Sequence, residues 1–83
     1  MAKSVSADAL HMAALRDHLA MANRHVASGN RIVARQQELV EKLEADGHDT
    51  REAIALLARF EEMLALHLSD RDRLFGELKS TTN

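Results

Sequence analysis

Three histidines recur at intervals of seven residues, at His11, His18 and His25. Imidazole nitrogens bind transition metals and exchange protons near neutral pH, so this row is the most conspicuous candidate for chemistry in the chain. Seven residues of α-helix rise about 10.5 Å, which is too far for two neighbours in the row to share one ion. The row alone therefore predicts no metal site on a single helix.

Two other pairs have the spacing that chelation from one helix requires, Asp8/His11 and His67/Asp70. Neither pair contains two histidines, and the Glu-x-x-His repeats of di-iron bundles are absent. We therefore expect no metal and no other cofactor in one chain, and a metal site would have to be assembled between chains. The alternative is that the histidines line the edge of the core or an oligomer interface, where acid would weaken association.

The chain shows no arrangement typical of a catalytic site. Its serines have neither a nucleophile-elbow context nor a positioned base, and no glycine-rich phosphate loop is present. Nucleic acid is an equally poor match, because the net charge is −2 and the cations Arg31, Arg35 and Lys42 are interleaved with Glu38 and Glu41. We expect neither an enzyme nor a nucleic-acid-binding protein.

The apolar stretches are too short to cross a membrane or to form a secretory leader. No run of about 18 apolar residues exists, and after Lys3 the sequence is interrupted by charged residues at Asp8, Arg16 and Asp17. We therefore expect no membrane partner and a cytoplasmic location.

The composition of the 83 residues favours helices. There is no Cys, Pro, Trp or Tyr, and Phe occurs only twice, so the chain lacks disulfides, Cys-ligated zinc and most of the residues that sheets prefer. Ala, Leu, Arg, Glu and Met dominate, and these are strong helix formers. The sequence predicts a single all-α domain over residues 1–83, with residues 1–5 and 80–83 frayed.

One break divides the helical pattern, at Asp46–Thr50. Gly47 can adopt the left-handed conformation that follows a helix C-terminus. Asp49 and Thr50 are both suitable caps for the next helix, and Asp49 with Glu52 has capping-box spacing. Since so short a connection forces neighbouring helices to pack antiparallel, we predict a hairpin of a long helix at about 7–45 and a second helix at about 50–79.

Apolar residues repeat every seven positions along both predicted helices, and the stripes are wider than a two-stranded coiled-coil seam requires. In the first helix one flanking row is His11, His18, His25, Ile32 and Leu39, and the row on the other side is polar. Two hairpins related by a two-fold axis would enclose these stripes, so we expect a homodimeric four-helix bundle. The candidate interface residues are His18, Leu19, Val26, Val33, Gln36, Val40, Phe60, Leu64, His67, Arg71 and Leu74.

The predicted first helix is longer than the second, which leaves roughly residues 4–16 without an intrachain partner. Either Ser28-Gly29 marks a bend or break, or another chain covers the overhang. Folding at the turn places Gln36 near Phe60, Gly29 near His67 and Ala22 near Leu74.

Three residues in the stripes are exceptions to the apolar pattern. Gln36 either fixes helix register from a buried position or extends its amide to water at the bundle edge. Gly29 either admits the His67 ring or weakens the helix at a bend. Arg71 either pairs with a carboxylate or packs its stem while its guanidinium reaches solvent.

The most specific segments are the Asp46–Thr50 turn and Leu66-His67 followed by Asp70–Leu74. Through these the chain resembles a set of short, uncharacterised helical-hairpin proteins from bacteria, over about residues 18–75. The other matching segments are His18-Leu19, Arg24–Ala27 with Gly29, Val33–Gln36 and Leu56-Leu57. The resemblance implies the hairpin and carries no established activity or site residues.

The function expected from these features is a small structural or protein-interaction module that self-associates, a class that includes regulatory proteins. The alternative is a sensor in which interface histidines respond to a metal, a ligand or pH. Partners other than a second copy of the chain are restricted to other proteins.

Overall fold

The computed structural model describes residues 6–82, which form two α-helices packed as an antiparallel hairpin. Helix α1 spans Ala7–Ala45 and helix α2 spans Arg51–Thr82. No strand occurs among these residues. The prediction of an all-helical hairpin is therefore confirmed. The hairpin is a rod of 71 × 23 × 15 Å, much longer than it is thick.

Helix α1 has the bounds that the sequence predicts. The Ser6 hydroxyl oxygen accepts a hydrogen bond from the Ala9 N–H at 3.1 Å, which satisfies one of the free donors at the helix start. The helix then continues without interruption through Ser28 and Gly29. The alternative of a break at these two residues is therefore wrong.

The end of α1 is fixed by two backbone hydrogen bonds around Gly47. The His48 N–H donates to the Leu43 carbonyl at 2.9 Å, and the Gly47 N–H donates to the Glu44 carbonyl at 3.1 Å. This pair of bonds defines a Schellman motif, which requires a left-handed residue just past the helix. Gly47 has φ +74°, as the sequence predicts, and it is the only residue with positive φ in the described part of the chain.

Helix α2 begins one residue later than predicted, at Arg51. The Asp49 carboxylate accepts a hydrogen bond from the backbone N–H of Arg51 at 3.0 Å and pairs with the Arg51 guanidinium at 2.7 Å. It does not accept from the backbone N–H of Glu52, as a capping box would require. The side-chain hydrogen bond from Arg51, followed by the backbone one, lowers the pKa of Asp49 below its ordinary value of 3.8. A lowered carboxyl pKa stabilises the fold above the unfolded pKa, and this contribution is lost as the pH falls through the folded pKa.

Helix α2 also ends later than predicted, at Thr82 instead of about Lys79, so the residues expected to fray at 80–82 are helical. Asn83 and residues 1–5 lie outside the described residues. The longer α2 covers much of the predicted overhang. Leu15 is only 4 % exposed and packs in a cluster with Ala22 and Leu74, so the expectation that α1 lacks an intrachain partner as far as residue 16 is wrong.

The seam between the helices agrees with the predicted register at Ala22 and Leu74 and differs at Gly29 and His67. Ala22 packs with Leu74, as expected. Gly29, however, lies against Leu64, since a Cβ built on Gly29 would stand 3.0 Å from Leu64 Cδ1. His67 instead contacts His25. The side chains interdigitate in steps of three and four residues, so opposing positions do not follow one constant offset.

Three glycine-to-alanine substitutions test these backbone environments. Gly76→Ala should stabilise the fold by about 0.5–1 kcal/mol, because Gly76 is helical and its added methyl group meets no atom within 4 Å. Gly47→Ala should destabilise it by about 1–2 kcal/mol, because alanine is strained at positive φ. Gly29→Ala should fall between them, since the helix gain is opposed by displacement of Leu64. Urea unfolding at one fixed chain concentration measures the free energy of unfolding of all three variants. If Gly47→Ala changed this free energy as Gly76→Ala does, the result would contradict the turn geometry.

Candidate interaction face and histidine pair

The predicted interface residues lie mainly in the seam between α1 and α2 of one chain. Val26, Gln36, Val40 and Leu74 are buried there, and His18 is exposed. The others are partly buried, namely Leu19, Val33, Phe60, Leu64, His67 and Arg71. Most of this set therefore contributes to packing within the hairpin, and the surface open to a second molecule lies beside it.

Among residues 6–82, Gln36 is the one buried polar residue, with 8 % exposure. Its Nε2 donates to the Ala53 carbonyl at 2.9 Å, which links the two helices near the turn. The bond favours the register-fixing interpretation over an amide that extends to water. A carbonyl in the first turn of α2 has a second lone pair available, so this bond adds to the helical hydrogen bonding.

Arg71 is partly buried, and its guanidinium stands 3.4 Å from Asp72 Oδ1. The carboxylate is mostly exposed, and such pairs contribute little to stability. The stem of Arg71 thus lies along the seam while its charge remains at the surface.

One side of the hairpin combines the flanking rows of both helices, and we call it the histidine face. Along α1 it carries a row from His18 through His25, Ile32 and Leu39, and along α2 it carries Leu56, Met63, His67 and Asp70. Grooves on this face confirm that the rows meet across the seam. One groove is lined by residues including Ile32 and Leu56, and another by residues including His25 and Asp70.

The half of the histidine face nearest the turn is apolar and open to solvent. Ile32 is 44 % exposed, Leu39 45 %, Leu56 40 % and Met63 54 %. Single exposed apolar residues are common on protein surfaces, but four of them lie here on two adjoining rows and form an apolar patch. This patch has no covering element among residues 6–82.

A pair of imidazole rings lies at the centre of the histidine face. The ring centroids of His25 and His67 are 5.1 Å apart, with an angle of 47° between their planes. His25 is exposed and His67 is partly buried. Neither ring makes a hydrogen bond or ion pair to another side chain within residues 6–82. The nitrogens of both rings are therefore unengaged within the described residues.

The other half of the histidine face is charged. Asp70 pairs with Arg73 at 2.7 Å, and Arg73 also reaches Glu77 at 3.0 Å. The hydrogen bonds that the Arg73 guanidinium donates to Asp70 and Glu77 raise its pKa. Since Arg73 engages the Asp70 carboxylate, His67 and Asp70 do not act as a free chelating pair, although their spacing suggested one.

No group of three or more metal-ligating side chains converges anywhere in the described residues. Two imidazoles side by side are the largest cluster of potential ligands that this face of a single chain brings together. The histidine face can therefore bind an apolar surface, and it offers two nitrogen donors at its centre.

The opposite side of the seam is less suited to a partner. Its α1 row is polar and exposed, and its α2 row contributes Ile54 and Phe75 as exposed apolar side chains. Leu66, which is 70 % exposed, lies instead beside the histidine face, three residues after Met63 and four before Asp70.

The interface residues predicted from the sequence do not include Ile32, Leu39, Leu56 and Met63, which lie beside the centres of the stripes. Their seven-residue spacing is visible in the sequence, and it could have identified them as a second apolar surface beside the stripes. The predicted interface residues lie mainly at the centre of each stripe, and the other helix of the same chain covers that centre.

Comparison of the chain with protein-family models, with curated proteins and with solved structures gave no match. Neither helix is apolar enough over a sufficient length to cross a bilayer, within the residues that the structure describes. The fold thus defines an all-α hairpin, and the histidine face is its candidate functional surface.

Replacing Gln36 tests the polar link across the seam. Gln36→Ala should lower the free energy of unfolding by about 1–3 kcal/mol, because it removes a partly buried hydrogen bond together with packing atoms. Gln37→Ala is the matched control, since Gln37 is exposed and its replacement should change stability by less than about 0.5 kcal/mol. Denaturant titrations of both variants measure the difference, and equal effects would count against a structural contribution from the Gln36 amide.

Proposed function

We propose that this chain is a small, non-enzymatic helical module that acts by self-association, with two hairpins packing their histidine faces together as a four-helix bundle. The exposed apolar patch on that face is the observation that carries the proposal. The cytoplasmic location expected from the sequence, and the resemblance to short bacterial hairpin proteins, remain parts of the proposal.

The surface area of one chain supports a second copy as the partner. The accessible surface is 6518 Å², whereas a compact monomer of 9.2 kDa would have about 4,900 Å². The excess is about 1,600 Å² per chain, and a standard interface buries only about 800 Å² per partner. The radius of gyration of 19.3 Å likewise exceeds the roughly 12 Å of a compact chain of this length.

The limited core supports the same conclusion. Six residues are buried, and no large side chain falls below 2 % exposure in the described part of the chain. Domains of this size depend on an efficient core, a metal, disulfides or oligomerisation, and this chain has no cysteine. Burying the patch of Ile32, Leu39, Leu56 and Met63 would extend the core through the space between two hairpins.

A two-fold axis along the length of the bundle suits the face best. It places the apolar half of one copy on the apolar half of the other, with both turns at the same end. It also places α1 of each copy beside α2 of the other, so that all neighbouring helices are antiparallel. An axis across the bundle would instead place the apolar half against Asp70, Arg73 and Glu77, whose ion pairs would lose water.

Two substitutions to glutamate on α2 test the proposed interface. Leu56→Glu should weaken dimerisation by at least tenfold, because the two-fold axis brings two charges into the apolar patch and each tenfold corresponds to about 1.4 kcal/mol. Sedimentation equilibrium should give a mass near twice 9.2 kDa for the unsubstituted chain and a mass closer to that of one chain for Leu56→Glu.

Ile54→Glu is the matched control, because Ile54 is on the same helix and is 46 % exposed on the opposite side of the seam from the histidine face. It should leave the dimer intact. A compact, cooperatively unfolding monomer at high micromolar concentration would refute self-association. Loss of the dimer in Ile54→Glu but not in Leu56→Glu would place the interface on the opposite side of the seam.

A further inference from the structure

We propose that His25 and His67 form half of a zinc-binding site, which the same two residues of a second copy complete. The proposal rests on the dimer described above and deepens it, because it assigns a ligand to the centre of the interface. The class of ligand is a divalent late transition metal ion, for which Zn²⁺ is the appropriate probe.

The spacing of the two rings suits a shared ion. With Zn–N bonds of about 2.0–2.1 Å and tetrahedral angles, two imidazoles bound to one ion place their ring centres roughly 5 Å apart. The centroids of His25 and His67 are separated by 5.1 Å, with the two residues contributed by different helices. An ion bound here would therefore link α1 to α2 without requiring the helices to move apart.

The ring nitrogens are available for a ligand. No hydrogen bond or ion pair within residues 6–82 engages either imidazole. The nearby carboxylate of Asp70 is paired with Arg73 at 2.7 Å and so does not compete for the rings. His25 is exposed, which gives an ion a direct approach from solvent.

One chain supplies too few ligands for a stable site. Structural zinc sites use four protein ligands, and the described residues of a single chain contain no group of three or more. Two imidazoles from each of two copies would provide four nitrogen donors, a set that suits zinc among the common divalent ions.

The height of the pair along the rod makes this combination possible. His25 lies near the middle of α1 and His67 near the middle of α2. A two-fold axis along the bundle keeps every residue at its own height, so the two pairs would meet across the interface. The α1 helix of one copy faces α2 of the other, which brings His25 opposite the second copy's His67.

Zinc titration of the untagged full chain, cleared of metal with EDTA and then freed of the chelator, tests the site. Isothermal titration should show half an ion bound per chain, and the dimer's Tm should rise with Zn²⁺ and fall back when EDTA is restored. His25→Asn and His67→Asn should each weaken Zn²⁺ binding by more than tenfold, because even loss of a residue that only supports a ligand weakens binding by about 10–100-fold.

His48→Asn is the matched control, since His48 lies exposed in the turn, outside the histidine face. It should bind Zn²⁺ as the unsubstituted chain does. Circular dichroism of each variant establishes that the helices have formed, and His25→Asn keeps the test valid if replacement of the partly buried His67 prevents folding.

The outcomes separate this site from the proposed dimer. A metal-free dimer that binds no Zn²⁺, or that binds it equally well without His25, overturns the zinc site and leaves the dimer. Binding of one ion per chain overturns the shared site. A monomer that becomes a dimer only with half an equivalent of Zn²⁺ supports the site and refutes association through apolar contacts alone. A monomer in all conditions refutes both.

Discussion

The hairpin has a single seam, and one seam between two helices can bury only one stripe of each. This geometric constraint explains why the buried residues are few and why both helices keep partly exposed flanks. Lengthening the helices adds surface in proportion to core, so a longer hairpin would be no better covered. Only a further layer can convert the flanking rows into interior, and a second copy supplies that layer without additional sequence.

The direction of the seam depends on a few atoms at the turn. Gly47 accepts the left-handed conformation, and the carbonyls of Leu43 and Glu44 are satisfied by the two N–H groups that follow the helix. The chain can then reverse over five residues, and Asp49 engages Arg51 at the start of α2. Local hydrogen bonding thus sets the antiparallel arrangement, and the apolar stripes determine how closely the helices then pack.

The sequence predicted the helices and the turn because both depend on local signals. The bounds of α1 were predicted correctly, and in the structure Ser6 and Gly47 fix them. The end of α2 was not predicted correctly, because Ser80 and Thr81 do not continue the apolar period. The position of Gly29 opposite Leu64 also escaped prediction, because interdigitation depends on side-chain volumes across the seam. Periodicity likewise identified the central rows but could not say whether the chain's own second helix or another copy covers them.

Apolar rows alone would leave the seam free to slip, because leucine and alanine pack acceptably after a shift of one turn. Gln36 removes that freedom, since a shift of about 5.4 Å would separate its amide from the Ala53 carbonyl. The His25 and His67 contact would be lost in the same shift. One polar contact near the turn and one at mid-height thus restrict the seam to a single register. That restriction holds the two rings at a fixed separation and height, as any recognition at the centre of the face requires.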